Sequence, residues 1–259
     1  MSMSKPLMLK GRVIGGGKEP LICLPLVART EAGLLAELAV VMGKQPDLIE
    51  WRVDFFEGIA DTAKVVALGL QLRSMANGVP IIFTRRSIRE GGEAIAITET
   101  QVLALYCAVS AAGCADFYDY ELSSDPAEFK AALTAVHQGG GQLIASYHNF
   151  QQTPPAAELL AKFAAMEAAG ADVVKIAVMP QQIEDVLTLL SATLEANQRI
   201  KQPIISMSRG SLGALSRLFG YAFGSSVTFA AGEKASAPGQ LPIEDIRVVQ
   251  TVLQRVLAG

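Results

Sequence analysis

The chain has 259 residues, of which 51% are hydrophobic and 18% are charged, and its formal net charge is −3. This length suits one large α/β domain. The small net charge and the lack of any block of lysines or arginines exclude a bulk nucleic-acid-binding surface. Any anion binding must therefore come from a local cluster of arginines.

The amino terminus, the apolar stretches and the three cysteines indicate a cellular compartment. The first ten residues contain no apolar core and no cleavage site of a signal peptide. The longest apolar stretch, 102–115, is too short to span a bilayer and is expected to be a buried helix. Cys23, Cys107 and Cys114 show neither a paired framework nor metal-binding spacing, so buried free thiols are expected. We therefore expect a cytoplasmic protein that does not enter a membrane.

The first predicted element is a hairpin ahead of the main fold. Residues 7–14, followed by glycines 15–17 and Lys18, predict two short strands that could close the amino-terminal mouth of a barrel. The glycine run is not GxGxxG and does not join a strand to a helix, so a dinucleotide site is not indicated.

Short β-rich apolar runs then alternate with helical segments. The eight predicted strands are 21–27, 48–53, 80–84, 115–121, 142–148, 172–177, 203–208 and 226–230. The predicted helices are 31–42, 62–77, 98–112, 126–138, 155–169, 181–198, 212–219 and 243–257. Such alternation is typical of parallel βα units. Eight units without a break in composition indicate an α/β fold: a single (β/α)8 TIM barrel spanning residues 1–259, with the hairpin closing its bottom.

Catalytic groups in such a barrel project from the carboxyl ends of the strands. Lys175 lies in the apolar segment 172–178, with no opposite charge beside it in sequence. A lysine buried without a partner readily gives the free amine that attacks a carbonyl. Alternatively, the side chain extends to solvent or pairs with a carboxylate from another strand. The residue on its own leaves both interpretations open.

His148 is one of only two histidines, and it shares a strand face with Ile144 and Ser146. If that face is the lumen, His148 lies within reach of the lysine on the next strand. Histidine suits proton transfer near neutral pH. A purely structural histidine is the alternative, and the neighbouring lysine favours the catalytic role.

Four further charged residues are candidates for a site that binds anions. Glu50 and Arg52 lie on one face of a strand, although such a pair is often a simple ion pair. Arg86 and Arg217 are candidates for gripping a carboxylate through the planar guanidinium. Arg85 should point away from Arg86 and is interpreted as structural.

The segment 232–242 is rich in small residues and suits a lid over a substrate, although a plain surface loop is the alternative. Ser236 and Gln240 would supply hydrogen bonds from above. The two histidines lie far apart, and neither HExxH nor a carboxylate cluster is present, so no metal site is predicted. The absence of GxSxG disfavours a serine hydrolase.

Several of these segments, taken together, resemble the type I 3-dehydroquinate dehydratase family. The resemblance runs from about Val13 to the carboxyl terminus and includes Ser216-Arg217. The segments are 50–54 (EWRVD), 83–87 with 90–93 (FTRRS and EGGE), 146–150 (SYHNF), 172–177 (DVVKIA) and 234–240 (KASAPGQ).

The resemblance implies a (β/α)8 barrel that acts in the shikimate pathway on 3-dehydroquinate, usually as a homodimer, with no metal or cofactor. It implies that Lys175 forms an imine with the C3 ketone. His148 would be the general acid and base that removes the C2 proton and protonates the departing C1 hydroxyl, with Glu90 associated. Arg217 matches the arginine that binds the substrate carboxylate. Further substrate-binding residues are implied to be Glu50, Arg52, Arg86, Ser236 and Gln240.

Two positions do not fit the pattern. Pro25 occupies a place where some members have a serine that contacts substrate, and Arg209 has no assigned role. Two other functions also remain open on the residues alone. They are an aldolase-like lyase that uses the same Schiff base and a non-catalytic barrel that binds a metabolite.

Overall fold

A computed structural model describes residues 4–15, 20–232 and 236–258. The ten strands found in these ranges are β1 (Leu7–Leu9), β2 (Arg12–Gly15), β3 (Leu21–Leu26), β4 (Leu48–Arg52), β5 (Ile81–Thr84), β6 (Phe117–Glu121), β7 (Gln142–His148), β8 (Val173–Val178), β9 (Ile204–Ser208) and β10 (Val227–Phe229). The α-helices are α1 (Glu31–Gly43), α2 (Thr62–Met75), α3 (Glu99–Ala111), α4 (Pro126–Gln138), α5 (Ala156–Ala168), α6 (Ile183–Arg199), α7 (Gly210–Phe219) and α8 (Ile243–Ala258).

Strands β3 to β10 form one parallel sheet in the order β10-β3-β4-β5-β6-β7-β8-β9. The sheet closes where a parallel bridge joins Ile204 to Ser225 and the amide of Ser226 donates to the carbonyl of Ile204 at 2.7 Å. The predicted (β/α)8 barrel is therefore confirmed. The bounds of the elements differ from the predicted ones by at most two residues; for example, β6 begins at Phe117 and α6 at Ile183, each two residues after the predicted start, and α7 begins at Gly210, two residues before it.

Side chains alternate between two buried clusters along each strand. In β4, Leu48 packs inside the barrel, whereas Ile49 and Trp51 pack between the barrel wall and the helices. This alternation follows from the two-residue period of a strand, so every second residue faces the lumen. The free thiols of Cys23 and Cys114 are buried as expected, but Cys107 is only partly buried.

The hairpin β1–β2 closes the amino-terminal end of the barrel. Its strands pair antiparallel, and Leu7, 1% exposed, packs into the cluster of lumen residues. Leu9 and Ile14 pack against the same cluster. The predicted plug is confirmed for these residues, whereas glycines 16 and 17 and Lys18 lie outside the described residues.

The helices begin and end where their sequences favour it. Pro126 opens α4, and the side chain of Asp125 accepts hydrogen bonds from the first free amides of that helix. At the start of α3, Thr98 and Gln101 form a reciprocal capping box. Across the described ranges, no helix combines the length and apolar character needed to cross a bilayer.

Candidate active site

A cavity opens at the carboxyl ends of the barrel strands. It collects side chains that are far apart in sequence, and every predicted site residue except Glu90 lines it. The lining residues are Glu50, Arg52, Arg86, His148, Lys175, Ala177, Met207, Arg209, Arg217, Phe229, Ser236, Ala237 and Gln240.

Strand alternation explains which charged residues reach this cavity. Glu50 and Arg52 both face it, as their spacing predicted. Arg86 also faces it, whereas Arg85 points outward and pairs with Glu99. The predicted structural role of Arg85 therefore agrees with its contacts.

Lys175 does not lie in the partnerless environment that the sequence suggested. Its Nζ lies 2.9 Å from Oδ2 of Asp119 and 3.4 Å from Oε1 of Glu50, and also 4.5 Å from the ring centroid of Phe229. Of the interpretations left open by the sequence, pairing with carboxylates from other strands agrees with the structure, because inward-facing Glu50 on β4 and Asp119 on β6 converge on Lys175 across the lumen. Only the closed barrel brings these residues together.

Asp119 is the central carboxylate of the site, and the sequence analysis missed it. Its Oδ1 accepts from Arg86 Nη2 and from Ser146 Oγ, both at 2.6 Å, and the residue is fully buried. Burial alone would raise the pKa of Asp119, but Arg86 and Lys175 outweigh it and hold the pKa below its usual range. A signal was available, since a carboxylate at an inward position of a buried barrel strand is costly without cations.

Arg86 connects Asp119 to a second carboxylate. Its Nη1 lies 3.0 Å from Oε1 of Glu121 and 2.9 Å from Oγ of Ser146. Burial would lower the pKa of Arg86, but Asp119, Glu121 and Glu90 together raise it. The guanidinium is therefore firmly charged and already bound to protein carboxylates.

His148 is tied to Glu90, which lies just behind the cavity. Nδ1 of His148 lies 2.9 Å from Oε2 of Glu90, and the backbone amide of His148 donates to the same oxygen at 3.0 Å. Burial, followed by the charges of Arg86 and Lys175, lowers the pKa of His148 well below its usual value. Burial also raises the pKa of Glu90 to about 7. A neutral imidazole that donates from Nδ1 leaves Nε2 as its basic nitrogen.

The remaining arginines differ in their partners. Arg52 makes a two-pronged contact with Asp54, at 2.8 Å and 2.7 Å. Arg217 donates to the carbonyl of Phe229 at 3.2 Å, and burial lowers its pKa to about 10. Neither Arg217 nor Arg209 has a carboxylate partner in the described part of the chain. Two charged guanidiniums thus remain available to an anion.

Ser236 and Gln240 lie together above the cavity. The Ser236 amide donates to Oε1 of Gln240 at 2.7 Å, and Nε2 of Gln240 donates to the Ser236 hydroxyl at 3.0 Å. The amide of Gly210 holds this segment by donating to the carbonyl of Pro238 at 3.2 Å. Residues 233–235 of the predicted lid lie outside the described residues.

Pro25 pairs in register with Glu50 but does not contribute to the cavity lining. Among the residues that the structure describes, no group of three or more His, Cys, Asp or Glu side chains is arranged to bind a metal ion.

Comparison with known proteins identifies the family of this chain. A family model described as type I 3-dehydroquinase matches residues 22–256. This chain belongs to the type I 3-dehydroquinase family. The resemblance that the motifs suggested is thereby confirmed, and with it the predicted enzyme class, a hydro-lyase.

Curated relatives of this type I 3-dehydroquinase match over nearly their full length. A 3-dehydroquinate dehydratase from Aromatoleum aromaticum is 58% identical over 100% of both chains. Another from Geobacillus thermodenitrificans is 46% identical over 98% of this chain and 99% of its own.

Solved structures of the same family share the fold closely. The crystal structure of 3-dehydroquinate dehydratase from Geobacillus kaustophilus is 43% identical with a TM-score of 0.95, over 98% of this chain and 99% of that one. The type I enzyme from Clostridium difficile is 35% identical with a TM-score of 0.92 over the same shares, and its crystal structure carries covalently modified comenic acid.

Proposed function

We propose that this type I 3-dehydroquinase converts 3-dehydroquinate to 3-dehydroshikimate and water in the shikimate pathway, through an imine on Lys175. The observation that supports this mechanism best is that a buried lysine and a neutral histidine share one cavity on the adjacent strands β7 and β8. A nucleophilic amine beside a base is the arrangement that covalent catalysis at a ketone needs.

The first step joins enzyme and substrate. Neutral His148 accepts a proton from the Lys175 ammonium, and the free amine attacks the C3 ketone to give a carbinolamine. His148 then returns this proton to the carbinolamine hydroxyl, which leaves as water, so an iminium ion forms and His148 is neutral again. Asp119 and Glu50, both beside Nζ, stabilise its positive charge.

The second step is the dehydration. His148 removes the C2 proton, and the electrons move into the iminium to form an enamine. The enamine expels the C1 hydroxyl, which leaves as water after taking the proton from His148. Hydrolysis of the conjugated imine then releases the product and regenerates the amine of Lys175. Because the imine supplies the electron sink, we propose that no cofactor is required.

Glu90 supports this chemistry from behind the imidazole. Its contact with Nδ1 orients the ring so that Nε2 faces the substrate, and it stabilises the imidazolium that forms transiently. We therefore place Glu90 with Lys175 and His148 as catalytic machinery, acting through His148.

Substrate recognition is assigned to the surrounding polar residues. Arg217, a charged group without a carboxylate partner, binds the substrate carboxylate. The substrate hydroxyls and carboxylate are also contacted by Glu50, Arg52, Arg86, Ser236 and Gln240.

A relative of known structure supports covalent chemistry. The Clostridium difficile enzyme is described with covalently modified comenic acid. We extend covalent capture to this chain because its buried lysine lies in the cavity.

We further propose one catalytic domain over residues 1–259, a homodimer and a cytoplasmic location.

Borohydride trapping tests the imine. The protein is incubated with 3-dehydroquinate and borohydride, and its intact mass is measured. One substrate-derived adduct should form and should be absent from Lys175→Ala. Lys162→Ala is the matched control, because Lys162 lies on helix α5 and pairs with Glu158 outside the barrel. An adduct that survives Lys175→Ala would rule out the assigned nucleophile.

The product identifies the reaction. Dehydration gives a conjugated enone with strong ultraviolet absorbance, whereas an aldolase-like lyase would give two carbonyl fragments without it. Binding of 3-dehydroquinate without any new absorbance would instead indicate a non-catalytic barrel.

A further inference from the structure

Arg209 is a buried cation in the cavity for which the proposed mechanism has no use. It precedes helix α7, lines the cavity with Lys175 and His148, and is only 8% exposed. Its guanidinium carbon lies 3.7 Å from the ring centroid of Phe150. The flat guanidinium therefore stacks on an aromatic face, which fixes its position.

The donors of Arg209 are not fully used by the protein. Its Nε is buried without a hydrogen-bond partner, and no carboxylate pairs with it in the described ranges. Burial and the charges of Arg86 and Arg217 lower the pKa of Arg209 to about 9. The side chain therefore stays charged at neutral pH. A buried charge with free donors is costly, and a bound anion would compensate that cost.

Arg217, which lines the same cavity, has the same deficiency. Its Nε is also buried without a partner, and its Nη1 reaches only a backbone carbonyl and the sulfur of Met207. By contrast, Arg52 and Arg86 are occupied by protein carboxylates. Of the four arginines that line the cavity, Arg209 and Arg217 are thus the two without a carboxylate partner in the described residues, so a ligand carboxylate is the partner that they lack.

We propose that Arg209 is a second carboxylate-binding residue which, with Arg217, clamps the substrate carboxylate and sets the requirement for an acidic substrate. The proposal rests on the proposed function. One carboxylate has four lone-pair directions, so two guanidiniums can bind it at once.

The position of Arg209 also links the clamp to the segment above the cavity. The next residue, Gly210, donates its amide to the carbonyl of Pro238, two residues from Ser236. Arg209 is therefore next in the chain to the residue that holds this segment, and it lines one cavity with Ser236 and Gln240, so an acid group bound there would be recognised under the segment.

Three variants distinguish a loss of substrate binding from a loss of folding stability. Arg209→Met keeps an apolar chain against Phe150 but removes the charge, whereas Arg209→Lys keeps the charge. Arg85→Met is the matched control, because Arg85 is equally buried but pairs outside the cavity with Glu99. KM and kcat are measured with 3-dehydroquinate, and the neutral methyl ester is tested as substrate or competitive inhibitor.

We expect Arg209→Met to raise KM about tenfold to hundredfold, the effect of losing one hydrogen bond to a charged group. kcat should change by less than about threefold, Arg209→Lys should recover part of the loss, and ester binding should be unaffected. The unfolding temperature of Arg209→Met should be unchanged or higher, because an unpaired buried charge is removed. Arg85→Met should lose stability without a change in KM.

An unchanged KM in Arg209→Met, or an equal loss with acid and ester, would overturn the clamp. A fall in the unfolding temperature of Arg209→Met without recovery in Arg209→Lys would also overturn it and assign Arg209 a structural role. Absence of turnover in the unmodified enzyme would instead refute the proposed function, so the two failures are distinguishable.

Discussion

Nζ of Lys175 lies 2.9 Å from Oδ2 of Asp119, across the lumen and two strands away in the barrel. The contact fixes the end of a long, flexible side chain at one point of the cavity. Because Asp119 also binds Arg86 and Ser146, its own position is determined by a network. The proposed nucleophile is thus oriented before substrate arrives.

Replacing Asp119 should test this orientation. Asp119→Asn is expected to lower the unfolding free energy by about 3 kcal/mol, because the change removes one partner of a buried ion pair. kcat should fall about tenfold to hundredfold through misplacement of Lys175. Urea denaturation and steady-state assays measure both effects.

The contribution of Asp119 to folding stability should depend on pH in one direction. The folded pKa of Asp119 is held below its unfolded value of 3.8, so its stabilisation is fully present above that pH and is lost on further acidification. The difference in unfolding free energy between the unmodified protein and Asp119→Asn should therefore stay constant from about pH 5 to about pH 9. Asp116→Asn, which removes a carboxylate paired with Arg73, is the control and should reduce stability without changing kcat.

The two histidines provide a matched pair of variants. His148→Ala should keep substrate binding but lower turnover by about 10²–10⁴-fold, the usual contribution of a general acid and base. His137→Ala should keep full turnover, because Nε2 of His137 contacts Asp172, which immediately precedes β8 and does not line the cavity. Near-normal turnover in His148→Ala would show that another group transfers the proton.

The Glu90–His148 pair should determine the acidic limb of the pH profile of kcat/KM. Because burial raises the pKa of Glu90 to about 7, the profile of kcat/KM should fall as the pH drops below about 7, when Glu90 is protonated. In Glu90→Gln this limb should move to lower pH, since the pKa of His148 itself is lowered well below 6.5. A limb that stays near pH 7 in Glu90→Gln would contradict the assignment.

The attachment of segment 236–240 to Gly210 can be disturbed by adding one methyl group at Gly239. Gly239 has φ of +82°, and an added Cβ would lie 2.2 Å from the carbonyl oxygen of Gly210. Gly239→Ala should therefore displace Ser236 and Gln240 and lower kcat/KM by about tenfold or more. Gly113→Ala is the control: its φ is +67° with nothing near the added Cβ, so only backbone strain is introduced. Equal kcat/KM in both variants would exclude a role for the segment in catalysis.

Much of the fold followed from local sequence. The two-residue period of the strands fixed which side of each strand faces the lumen, and so placed Glu50 with Arg52 and turned Arg85 outward. These are relationships within one strand, which backbone geometry alone determines.

The partners of Lys175, by contrast, did not follow from local sequence. Its neighbours in the chain are apolar, which suggested an isolated amine, yet Glu50 and Asp119 lie 125 and 56 residues away in sequence. The sequence by itself determined the barrel, the inward faces and most of the charged residues that line the cavity. Only closure of the sheet decided which charges meet, because ion pairs across a lumen depend on strand order and register, which no single strand contains.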